Sequence, residues 1–162
     1  MYACAAATLA FYCGMRSCEI KALRWQHIDL AAGILDIRRS KTPAGWRTRH
    51  STRPANVLWR VSTRKHGLSE LRTGEHYVFP WHGQQQKIDP TRPITAWRSA
   101  WRSIRRKAAR NDEGEVIYPA LEGVRFHDAR HTAVTTLAEK GLPDWVIQAQ
   151  VGHVAPDASL AF

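Results

Sequence analysis

The pattern of apolar and polar positions divides the chain into short segments. MYACAAATLAFYCG, residues 1–14, is apolar on every side, which predicts a buried helix closed at Gly14. SCEIKALRW, residues 17–25, predicts a second helix with Ile20, Leu23 and Trp25 inward, and HIDLAAG a turn. ILDIRRSK alternates as a strand does. TPAGW carries Pro43 and Gly45 at turn positions, and WRTRHST returns as the second strand of a hairpin. Residues 54–66 predict a helix and EHYVFP a third short strand. Residues 93–110 predict a long amphipathic helix, with Trp97, Trp101, Ile104 and Ala108 as its apolar stripe and Arg98, Arg102, Arg105 and Arg106 around the rest. NDEGEVIYPALEGV reads as a loop, HDARHTAVTTLAEKG as a helix closed by Gly141, and PDWVIQAQVG as a helix with Pro143 in its first turn. A further short helix is expected from Pro156. The sum is an α+β fold, mostly α-helical, with a small antiparallel β-sheet of about three strands. Neither a repeat nor a low-complexity segment is seen.

Composition narrows the partners. At 162 residues the chain suits one domain, and 24 Lys and Arg against 14 Asp and Glu give it a formal charge of +10. Such an excess favours a polyanion, most commonly nucleic acid. Cys4, Cys13 and Cys18 make no CxxC pair and are expected as buried free thiols of a reducing compartment, which places the protein in the cytoplasm. The apolar stretch ACAAATLAFYCG is too short to span a bilayer, so no membrane partner is expected. The eight histidines are read as lacking a metal-binding spacing, and Arg130 beside His127 repels a cation; no metal and no cofactor are expected.

Several residues carry phosphate chemistry. His127 and Arg130 of HDAR stand at i and i+3 and leave one helix face, a fork and an imidazole suited to one phosphate. Alone, HxxR occurs by chance in many helices. Arg16 opens a helix with Glu19 one turn on; the pair is either a surface contact or an arginine aimed into a cleft and held by an acid. Lys41 sits at the tip of the hairpin, where an ammonium folded over a phosphate would protonate a leaving oxygen. Arg47 and Arg49 on the returning strand, and Arg105 and Arg106 on the basic helix, are candidate DNA contacts. The run Arg105-Arg106-Lys107 is expected on the outer face of its helix, Trp25, Trp97, Trp101 and Trp145 in packing roles, and His131 pointing away from Arg130.

Taken in order, GMRxxEIxxLRWxxID, a hairpin with SKTPAGWR, HDxRHTxxTxxAxxG and VGH resemble the catalytic domain of the tyrosine recombinases, the phage-integrase family. The resemblance covers essentially the whole chain. It implies that Arg16, Lys41, His127, Arg130 and His153 form the active site and that Glu19 supports the first arginine. It also implies metal-independent DNA strand cleavage and rejoining. A tyrosine attacks the scissile phosphate, a 3′-phosphotyrosyl link forms, the 5′-oxygen leaves with a proton, and a second hydroxyl reverses the step. Charge building on the phosphate oxygens would be met by preorganised donors. Implied with it are double-stranded DNA as partner and a homotetramer on DNA for the full-length family. The present chain is expected to be the C-terminal catalytic domain without the N-terminal core-binding domain, and a monomer in isolation.

The family nucleophile commonly lies nine residues after the second histidine, and that position here is Phe162. Tyr2, Tyr12, Tyr77 and Tyr118 do not fit the spacing. Phe162 stands for a Tyr→Phe change, for a register slip with the tyrosine beyond the end, or for a degenerate relative that binds without cutting. In each case the 162-residue chain is expected not to cleave DNA. The competing reading is a non-catalytic double-stranded DNA-binding module derived from a recombinase.

Overall fold

In the computed structural model, which describes residues 2–29, 31–38, 47–50, 74–84 and 87–152, helix α1 (Tyr2–Cys13) is buried along almost its whole length. Ala3, Ala5, Ala6, Ala7, Leu9 and Ala10 leave no polar stripe, so the helix lies inside the domain as its sequence predicts. Its small side chains let the backbone approach helix α4 (Asp128–Glu139), the neighbour it packs against most extensively. Gly14 closes α1 at φ +61°, a left-handed conformation that costs a residue with a Cβ about 1–2 kcal/mol. A Cβ there would also meet Val151 Cγ1 at 3.0 Å, so glycine answers both demands.

Helix α2 (Ser17–Lys21) is shorter than the sequence predicts, and residues 25–27 form a 3-10 turn instead of continuing it. Ile20 and Leu23 face the core as expected, and Trp25 packs against it. The three-stranded antiparallel sheet has the order β1 (Ile28–Asp29), β2 (Ile34–Ile37), β3 (Arg47–His50). The hairpin is where the alternation predicts it, with Leu35 opposite Arg49 and Ile37 opposite Arg47. The third strand is a correction. It is the Ile28–Asp29 pair, read in the sequence as a turn, that joins this sheet. EHYVFP instead runs beside residues 23–26, making one isolated bridge between Arg24 and Tyr77. Its last residue opens β4 (Pro80–His82), which pairs with β5 (Ile88–Pro93) in a separate two-stranded ribbon.

Helix α3 (Arg98–Ala108) begins later than the predicted residue 93, because Ile88–Pro93 is strand. Trp97 and Trp101 are buried and Ile104 packs against the core, but Ala108 is exposed and Ala109 takes the inward place. The two indoles grip Phe126, with ring centroids at 5.1 and 5.4 Å, and Trp101 Nε1 donates to the Val124 carbonyl at 3.1 Å. That aromatic clamp fixes the residues immediately before α4. Helix α5 (Asp144–Val151) follows, with Pro143 capping rather than entering it. Trp145, expected to pack, is 73% exposed. Cys13 is buried as predicted, while Cys4 and Cys18 are exposed; all three are free thiols. The predicted helices at 54–66 and from Pro156 lie outside the described residues, as do Lys41, His153 and Phe162.

Candidate functional site

The site is built where the end of α1, the start of α4 and the end of α5 meet. Arg16 caps α2 from extended backbone, and Glu19 one turn on reaches back to it. Glu19 accepts from the Arg16 backbone N–H at 2.8 Å and from Arg16 Nη1 at 3.0 Å. The Glu19 side chain is 0% exposed and that of Arg16 27%, so this is a buried acid aiming a half-exposed fork, not a surface pair. Arg16 Nη2 donates to the Gly152 carbonyl at 3.0 Å.

Arg130 is buried, at 4% exposure. Its Nη1 donates to the Gly14 carbonyl and its Nη2 to the Val151 carbonyl, both at 2.6 Å. Both carbonyls are helix-end acceptors that no intrahelical N–H reaches, and a guanidinium is the side chain that spans two of them. Gly152 makes the arrangement possible by turning left-handed at φ +64°, which presents the last carbonyls of α5 to both arginines. The negative end of the α5 dipole thus lies against two cations.

His127 caps α4 and His131 stands one turn on. Their rings meet edge to face, with centroids 5.1 Å apart. Partial burial lowers the His127 pKa first, then His131, Arg130 and Arg125 lower it further against the pull of Asp128. Asp128 is held below its usual range, first by the Arg125 backbone N–H at 2.8 Å and then by the Arg125 guanidinium.

Arg16, His127, Arg130 and His131 line one cleft of about 400 Å³, closed on the other side by Asp144, Ile147, Gln148 and Val151 of α5. Three residues named from the sequence therefore converge. His131, expected to point away, is a fourth member. The i, i+4 stacking with His127 is the signal that shows it, and the same pair gives an HxxxH spacing that the sequence reading missed. Among the described residues no group of three or more His, Cys, Asp or Glu converges to hold a metal ion.

The basic candidates divide. Arg105 does not lie on the outer face. It is half-buried, and its Nη1 donates to the Glu122 carbonyl, while Arg110 pairs with the Glu122 carboxylate at 2.9 Å. Arg106 faces outward with Arg102, Lys107 and Arg110 along a groove of about 630 Å³. Arg47 and Arg49 lie on β3, whose backbone pairing alone is described.

A mostly helical α+β domain thus draws two guanidinium groups and two imidazoles into one cleft. The model of the phage integrase family matches residues 1–158, and the chain belongs to that family, the tyrosine recombinases. A shufflon-specific DNA recombinase of Escherichia coli is 29% identical over 133 residues, 82% of this chain and 27% of that protein. Among solved structures, the Tn1549 transposon integrase in complex with a circular intermediate DNA superposes with a TM-score of 0.69 at 17% identity, over 93% of this chain and 50% of that one. XerA recombinase gives 0.62 at 18% identity, over 93% and 48%. The chain thus spans about a quarter of the curated relative and about half of each solved structure. No described helix is long and apolar enough to cross a membrane.

Proposed function

We propose that this chain is the catalytic domain of a site-specific DNA recombinase and that its cleft grips one backbone phosphodiester of duplex DNA. The observation that carries the reading is the convergence of Arg16, Arg130 and His127 on one cleft from opposite ends of the sequence. Bidentate guanidinium donors suit phosphate oxygens, and donors already held by Glu19 and by helix-end carbonyls need little reorganisation when charge develops. The shufflon recombinase and the DNA-bound Tn1549 integrase, as proteins similar to this chain, support DNA as the partner. Lys41 and His153 would complete the set as proton donor and further phosphate contact. Phe162 at the nucleophile position has no oxygen to attack phosphorus, so the 162-residue chain is proposed to bind without cutting. A non-catalytic duplex binder derived from a recombinase is the second reading, favoured by the cationic groove along α3.

Duplex binding measured by fluorescence anisotropy tests the reading. Phosphate contacts dominate, so affinity should fall by a factor of 10 or more between about 50 and 200 mM salt. Arg16→Met, which keeps bulk and removes the fork, should weaken binding by roughly tenfold or more at fixed salt, since a charge-assisted contact is worth about 1.5–3 kcal/mol. Affinity unmoved by either would contradict it.

A further inference from the structure

His131 stands in the cleft without a role in the reading above. It is exposed, lies one helical turn from His127, and lines the same cleft as Arg16 and Arg130. We propose that His131 is a second phosphate-contacting imidazole, and that seating a DNA phosphodiester in the cleft takes up protons on the His127–His131 pair. The inference rests on the cleft being the phosphate site and adds a linkage that the site alone does not require.

The charges around the pair decide its protonation. On the helix are Asp128 and Arg130, with Arg125 just before it; from the turn between α1 and α2 comes Arg16, with Glu19 behind it; from α5 comes Asp144. Asp128 is committed to Arg125 and Glu19 to Arg16, which leaves Asp144 as the further described carboxylate lining the cleft. The His127 ring, partly buried and edge to face with a second imidazole in that field, is held below its usual pKa. A phosphodiester between the rings reverses the balance. Each imidazole gains a proton from solvent, forms one N–H bond, and donates from it to a non-bridging oxygen. Affinity therefore rises as pH falls through the imidazole range, by up to tenfold per pH unit for each proton taken up. Nothing is lost or gained covalently.

The test is isothermal titration calorimetry of the whole chain with duplex DNA, in buffers of different ionisation enthalpy, between about pH 6 and 8. The wild-type chain should show net proton uptake and an affinity that rises toward low pH. His131→Asn, at an exposed position, should melt as wild type does and lose about half of the uptake along with the matching part of the pH slope. Equal uptake and slope in His131→Asn and wild type would overturn the proposal. If Arg16→Met in the same experiment leaves DNA affinity unchanged, the cleft is not the phosphate site, and both readings fall together. Weakened binding in Arg16→Met with an unaltered His131→Asn profile sinks the imidazole linkage alone.

Discussion

Replacing Arg130 by Ala is expected to destabilise the domain by about 3–5 kcal/mol, the range for breaking a buried charged network. The loss has three parts. Two short charge-assisted bonds disappear, from Nη1 to Gly14 and from Nη2 to Val151. Two buried carbonyls are then left without the fork, each costing about 1–3 kcal/mol if no water replaces it. The ends of α1 and α5 also lose the side chain that ties them together. Arg130→Lys is the informative partner. It keeps the charge but offers a compact ammonium that cannot span both carbonyls as the planar fork does, so it should recover part of the stability and little of the DNA affinity. Urea denaturation checks the first effect and anisotropy the second. An Arg130→Ala chain as stable as wild type would mean that the carbonyl contacts contribute nothing.

Glu19→Ala is expected to have the next largest effect, about 1–3 kcal/mol, because it removes a fully buried carboxylate and leaves the Arg16 backbone N–H and fork without their acceptor. Glu19 serves α2 and the cleft together. Its carboxylate satisfies the Arg16 backbone N–H at the helix start, one half of a capping box, and fixes the fork that faces the cleft. Glu19→Gln retains an acceptor oxygen and should lose less, about 0.5–1.5 kcal/mol. In both variants DNA affinity should fall although Glu19 itself touches no phosphate. Wild-type affinity and melting temperature in Glu19→Ala would refute a positioning role.

What the sequence made legible follows from how locally each feature is encoded. The helices of residues 2–13, 128–139 and 144–151 are visible because apolar character marks each segment and a glycine closes it. The hairpin is visible from alternation. Strand β5 is not, because IDPTRP carries two prolines that argue against a strand and are tolerated only by the bulged pairing with β4. Strand β1 has two residues, too few for any period to show. Trp145 and Arg105 exchange their expected environments for one reason. Burial depends on what another segment places opposite a helix face, and the 3-10 turn at residues 119–123 covers Arg105 while no described element covers Trp145. Within the site, Arg16, His127 and Arg130 were legible as residue types in a recognisable order. The carbonyls that hold them were not, since Gly14, Val151 and Gly152 contribute backbone atoms whose direction depends on two left-handed turns. His131 follows Arg130 directly and so is expected on another face, whereas its i, i+4 relation to His127 points back to the cleft.

One DNA phosphodiester is proposed to sit among Arg16, His127, Arg130 and His131. The direct measurement is an NMR titration with short duplex DNA, following the Nε–H resonances of Arg16 and Arg130 and the ring C–H resonances of His127 and His131. The expected result is that all four move along one binding isotherm and return together when salt is raised. Stationary cleft resonances, with shifts confined to Arg102, Arg106 and Arg110 on α3, would contradict it.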